Sequence, residues 1–183
     1  MRSVPRLVLF FGSFVVLSAA LIPAFSLEDL SERSKSIVEG TVLRSWFAWD
    51  AKHSHIWTHY EVQVAEWIRG AGGRSIIVSE PGGSLDGLNQ QVSGVVHYQP
   101  GEHVVLFVYA TPIGFLRATG GGQGKLTIAP DGRIRLNLTG LATTGSAGPP
   151  GTSPSTWQDQ TYDAIKPALR RLAILRPFKD GPR

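Results

Sequence analysis

Three histidines fall within one short stretch, HSHIWTH: His53, His55 and His59. On an extended strand a spacing of two places all three on the same face. A His-x-His pair on a strand can bind zinc, and a third histidine would complete an open catalytic site. The rise of a strand argues against sharing. His55 and His59 stand about 13 Å apart in extended chain, too far for one ion unless the tip folds back. No HExxH follows. An exposed polar hairpin tip is the simpler reading, and no cofactor is expected.

Two glycine-rich stretches come next. TGGGQGKL, residues 119–126, has Thr119 where a phosphate-binding loop needs its first glycine and Leu126 where it needs Ser or Thr. A strand, not a helix, is expected to follow it, so no helix N-terminus would meet a phosphate. The longer stretch, SEPGGSLDGLNQQVSGVVHYQPG at residues 79–101, lacks G-x-G-x-x-G spacing. It reads as a connector whose glycines allow tight bends and whose Gln90 and Gln91 can bond exposed backbone. Gly82, Gly83, Asp86, Gln90 and Gln91 are its candidate ligand-binding residues. No nucleophile stands out, because there is no cysteine and Ser146 has Thr144 where G-x-S-x-G needs its first glycine. No catalytic residue is therefore named.

The aromatic residues are the more distinctive feature. Trp46, Phe47, Trp49, Trp57 and Trp67 cluster on or near one expected hairpin. Most can build a core edge, leaving one or two for a binding platform, with Trp46, Trp49 and Trp57 the candidates. Trp46 and Phe47 are adjacent, so on a strand one of them must point outward.

These residues need a scaffold, and the chain predicts one. SLEDLSERSKS opens on a capping serine, Ser26, with Glu28 and Asp29 in the first turn, and reads as a short helix. Residues 36–49 and 56–70 are rich in β-branched and aromatic side chains, with DAKHSH between them as a hairpin tip. Thr58, Tyr60, Val62 and Val64 share one face, and His59, Glu61 and Gln63 the other. RSIIVSE is a third strand. EHVVLFVYA is apolar throughout and suits a strand buried on both faces. GKLTIAPDGRIRLNL is a hairpin turning at Pro130, Asp131 and Gly132, with Ile134, Leu136 and Leu138 on one side. Residues 140–160 read as a linker or surface loop. YDAIKPALRRLAIL places Tyr162, Ile165, Leu169 and Leu172 on one helical face, opposite Lys166, Arg170 and Arg171, with Pro167 near the start. Five or more short strands with terminal helices predict an all-β chain built as a small closed barrel or sandwich.

The first 26 residues combine Arg2 and Arg6, a long apolar run and small residues Ala24 and Ser26, the pattern of a secretory leader cut after Ser26. An uncleaved anchor is the alternative. The expected organisation is a leader at 1–26, a barrel at 27–139, a loop at 140–160, a helix at 161–175 and a basic tail at 176–183. An exported domain without cysteine is held by its core alone. The formal charge of +4 loses two units with Arg2 and Arg6. Residues 164–183 carry Lys166, Arg170, Arg171, Arg176, Lys179 and Arg183 against Asp180, a net of +5, so the rest of the chain after residue 26 is −3. The body therefore gives no argument for nucleic-acid binding, and the tail could at most touch anionic lipid weakly.

The order ERSKSIVEGTV, VAEWIRG, IIVSEPGG, GEHVVLFV and GGGQGKL resembles a group of exported bacterial proteins. Its mark is matched by Gly82, Gly83, Gln91, Val92, Gly94, Gly101, Glu102, Val104, Val105, Leu106 and Phe107. More distantly, IVEGTV, IRG and GEHVVLF are similar in layout to the netrin-like module, an OB-type barrel that includes the tissue inhibitors of metalloproteinases. The resemblance implies an OB-like barrel. It does not carry over the inhibitors' N-terminal cysteine, since the chain has none. The expected function is non-enzymatic: an exported, periplasmic or extracellular binding or accessory domain for another exported protein or an envelope component. Modulation of an exported metalloprotease is one alternative. Metal binding or metal-dependent catalysis at His53, His55 and His59 is the other.

Overall fold

The computed structural model describes residues 20–136, 141–144 and 154–179 of the 183-residue chain. Its strands are β1 (Ala20–Pro23), β2 (Ser36–Trp49), β3 (Ile56–Arg69), β4 (Ser75–Pro81), β5 (Gly83–Leu85), β6 (Leu88–Gln90), β7 (His103–Ala110), β8 (Leu116–Ala118), β9 (Lys125–Ile128), β10 (Ile134–Arg135) and β11 (Leu141–Thr144). Two α-helices, α1 (Leu27–Arg33) and α2 (Tyr162–Leu175), flank them. Leu138 and the last residues of the basic tail, 180–183, lie outside the described residues.

The chain is mostly β. The main sheet runs β10-β9-β7-β2-β3-β4-β8, and β8 pairs back onto β7, so five strands form a hydrogen-bonded ring. β8 and β9 are two halves of one path along β7. Ala118 pairs with Val108 and Lys125 with Leu106. The glycine stretch between them is looped out as a short 3₁₀ turn, Gly121–Gly124. The lysine of GGGQGK is not presented to a ligand. Lys125 Nζ donates to the His97 carbonyl at 2.8 Å and to Glu102 at 2.7 Å, and sits over the Tyr98 ring.

Strand alternation divides the apolar residues between two cores. Val104, Leu106 and Val108 of β7 pack inside the ring with Val38, Val42, Val62 and Val78. Val105 and Phe107 point the other way, against Leu27, Leu30, Tyr162, Ile165 and Leu169 of the helices. EHVVLFVYA is thus buried on both faces, as its unbroken apolar run implies.

Ser26 caps α1 with a capping box: its hydroxyl accepts the Asp29 N–H, and the Asp29 carboxylate accepts the Ser26 N–H. Both helices end on one side chain. The Arg69 guanidinium donates to the carbonyls of Ser31 and Ser34 at the end of α1 and to those of Ala173 and Arg176 at the end of α2. A cation there satisfies carbonyls that helix termini leave open and complements both helix dipoles. The start of α2 is fixed differently. Glu39 on β2 accepts from Tyr162 Oη at 2.6 Å and Lys166 Nζ at 2.7 Å, and Glu66 accepts from Arg170. The basic face of α2 is therefore partly turned to the sheet, and Arg176 and Lys179 in turn meet Glu32.

Two stretches differ from the sequence expectation. Leu141–Thr144, within the expected linker, is a strand, and it pairs in parallel with Ala20–Pro23, within the expected leader. Composition hid the first, because a four-residue strand among Gly, Thr and Ser leaves no alternation to read, and the second lies at the end of an apolar run that reads as leader.

The ring closes at a thin seam. β4 and β8 share a single parallel bridge, Val78 with Leu116. Glu80, only 1% exposed, reinforces it by accepting from the Ala118 N–H at 3.1 Å and from Arg117 Nε and Nη2 at 3.1 and 3.0 Å. Burial pushes the Glu80 carboxyl above its ordinary range, and Arg117 opposes that shift. Arg117→Met leaves the buried carboxylate uncompensated. It should destabilise the fold by about 3 kcal/mol at pH 7. Glu80 binds its proton more readily folded than unfolded, so stability is lost as pH rises through the folded value. The Arg117→Met deficit in urea unfolding should therefore shrink from pH 7 to pH 5. A deficit independent of pH would show that the carboxylate is not its source.

Candidate functional site

β2 outruns its neighbour. β7 pairs with it only over residues 36–41, and the last ladder-like bonds join Val42 to Glu102 and Gly101. Beyond that point, residues 44–49 pair with β3 alone, after a break in register at Leu43. The two long strands thus project an arm from the ring, with β4 alongside β3.

One face of the arm carries a row across three strands, because Trp46 pairs with His59 and His59 with Ser79. The Trp46 and His59 rings stack at 5.4 Å, and Arg44 lies over Trp46 while its Nε meets Glu61 at 2.6 Å. Phe115, from the loop between β7 and β8, packs edge-on against both His59 and Trp57. His59 is left 8% exposed, with its Nδ1 2.7 Å from Ser79 Oγ. Burial holds its imidazole below the ordinary value.

The opposite face is covered by the small hairpin β5–β6. It turns at Asp86 and Gly87, both with positive φ, which is the two-residue turn that an Asp-Gly pair between apolar residues favours. Thr58 Oγ1 donates to the Gly82 carbonyl, the Ile56 N–H donates to Gln90 Oε1, and Trp49 Nε1 donates to Asp86 at 2.9 Å. Gly83 has φ +141°, and a Cβ there would lie 2.5 Å from the Phe47 ring. Trp49, Gly82, Gly83, Asp86 and Gln90 therefore form one packed unit that clasps the arm. Gln91 is exposed beyond it.

The histidines are placed apart. His53 and His55 are exposed at the tip, where His53 stacks on Trp49 and His55 faces Asp50 and Ser54. His59 is buried further along the arm beneath Trp46 and Phe115. Among the described residues, no group of three or more His, Asp or Glu side chains is arranged to hold a metal. The extended chain keeps His59 out of reach, as the strand rise requires.

Both Trp46 and Phe47 are exposed, at 36% and 46%, Trp46 on the outer face and Phe47 on the other, where the β5–β6 hairpin covers it only in part. Leu43 and Ile77 are exposed as well. Sequence reasoning passed over Leu43, Ile77 and Phe115. Ile77 alternates correctly for a strand, but which face a second layer covers is a tertiary fact, and Leu43 sits at a break in the β2–β3 register that alternation does not reveal. A depression of about 540 Å³ lies between the start of α1 and α2, lined by Leu27, Trp157, Pro167, Leu172 and Leu175, with Glu28 at its side.

No protein-family model matches the chain, and no curated protein does either.

The His59 environment gives a pH test. The folded chain binds the His59 proton less readily than the unfolded chain, so this contribution is complete above pH ~6.5 and declines as pH falls below it. The difference in unfolding free energy between wild type and His59→Gln should change between pH 7.5 and pH 5, with wild type losing more. Equal losses in the two proteins would mean that His59 stays accessible to protons in the fold.

Proposed function

We propose that the five-strand ring is an OB-like barrel, of the netrin-module kind, and that the chain is an exported, non-enzymatic binding or accessory domain. The reading rests on one observation. The outer face of the arm presents Trp46, Arg44 and Ile77 beside Phe115, an aromatic and apolar surface next to an open strand edge. In OB-type barrels the face of the second and third strands, with the loops after the first and fourth, is the usual binding surface. With the ring strands taken in chain order (β2, β3, β4, β7, β8), that describes β3 and β4, the tip at residues 50–55 and the loop at residues 111–115.

The partner is another exported protein or envelope component that lays apolar surface, or a strand, against this face. A ring of aromatic side chains already held by stacking loses little freedom on binding. The layout shared with the tissue inhibitors of metalloproteinases makes an exported metalloprotease the alternative partner. The mode would differ from theirs, since no cysteine is present.

The test is site-specific photo-cross-linking in exporting cells. A benzophenone side chain at Ile77 should give a discrete adduct that Trp46→Ala suppresses. The same group at Ile174, exposed on the far end of α2, should give none. Equal labelling from both positions, or none from position 77, would refute the assignment of this face. An exported metalloprotease in the adduct would select the alternative partner.

A further inference from the structure

Cleavage after Ser26 is the simplest reading of the leader, yet the structure uses the residues that this cut would remove. Ser26 is 4% exposed and supplies the capping box of α1. The Phe25 N–H donates to Gln123 Oε1 at 2.9 Å, tying the chain to the looped-out glycine turn. The Phe25 ring lies against Gly120, where a Cβ would come within 2.5 Å of it, and the Arg33 guanidinium covers the ring at 5.0 Å. Leu21, Ile22 and Pro23 pair with Ala142, Thr143 and Thr144.

A cut between Ser26 and Leu27 would delete all of this. It would also place a new ammonium group on the first residue of α1, where the helix dipole disfavours positive charge. Loss of a serine cap alone destabilises a helix.

We propose that the leader is instead cut between Ala20 and Leu21. Water adds across that amide, leaving a carboxylate on Ala20 and an amine on Leu21, and an exported leader peptidase supplies the catalysis. Ser18 and Ala20 are the small residues such an enzyme requires at the third and first positions before the cut. The apolar segment then runs from Leu7 to Leu17, inside the usual range of about 7–15 residues for a leader core. With the cut at Ser26, the same segment would extend almost to Phe25 and approach the length of a membrane span. Of the β1 ladder, only the pairing of Ala20 with Leu141 is given up. The mature protein keeps the cap, the Phe25 anchor and most of β1.

This inference rests on the export reading, and one experiment separates the two. The full chain is expressed with a C-terminal tag in a bacterial host, and the exported form is analysed by intact mass and N-terminal sequencing. The expected sequence is Leu-Ile-Pro-Ala-Phe. Ala20→Tyr should abolish or shift the cut, and Ser26→Tyr should leave it in place. An N-terminus reading Leu-Glu-Asp-Leu, or a cut sensitive to Ser26→Tyr but not to Ala20→Tyr, overturns the proposed site while leaving export intact. A chain that keeps its leader and stays in the cytoplasm overturns the export reading itself.

Discussion

The seam between β4 and β8 carries the architecture. A ring of strands closes only if its last pair holds, and here that pair has one backbone bridge. Glu80 supplies what the ladder lacks. Its carboxylate takes the Ala118 N–H and both accessible nitrogens of Arg117, so one buried side chain fastens β8 along its length. A buried carboxylate is tolerated because its charge is met by hydrogen bonds and by an arginine. The position of β8 also sets the loop that precedes it. The Thr111 N–H and the Phe115 carbonyl close that loop at 2.7 Å, and Phe115 then lies on His59 and Trp57. The shape of the candidate binding face thus depends on an interaction on the inner side of the sheet.

Charge does comparable work outside the ring. A sheet covered by two helices needs little more than apolar contact for affinity, but apolar contact is non-directional. Register along the sheet comes from Glu39, which meets Tyr162 and Lys166, and from Arg69, which ends both helices at once. Burial pushes the Glu39 carboxyl up, but its bonds to Lys166 and Tyr162 outweigh that and hold it below the ordinary range. Arg69 belongs to the IRG turn, which the sequence marks only as the end of a strand. Its fork of donors suits carbonyls arriving from two directions, a geometry that lysine cannot match.

Local patterns foretold the elements well. The cap at Ser26, the long strands β2 and β3 and the doubly buried β7 follow from side-chain type and period alone. What the sequence could not show was which residues meet across the chain. Gln123 reaches Phe25, and Glu80 reaches Ala118, through pairings set by topology rather than spacing. The glycine-rich stretch at residues 79–101 illustrates the limit. Its Asp-Gly pair marks a two-residue hairpin, but its length and composition concealed that turn among other glycines. The histidines show the opposite case. Elementary strand geometry separates His59 from His55 along the chain, and in the fold His59 lies on the β2–β3 ladder opposite Trp46 while His53 and His55 lie in the tip.

The open edge of β2 gives the arm its physical logic. A strand edge with exposed apolar side chains invites pairing with other chains, and proteins usually blunt such edges with lysine, proline or a covering segment. Residues 43–49 hold one charge, Arg44, and it is drawn sideways onto Trp46 and Glu61. The clasp formed by β5 and β6 protects the face beneath it, but among the described residues no strand pairs with this edge on the side away from β3. The same chain spends a buried glutamate on closing one edge of its ring while leaving another edge apolar. A liability retained beside such a costly closure is understandable if a partner covers it. For that reason the proposed binding role falls on the arm rather than on the polar tip or the glycine loops.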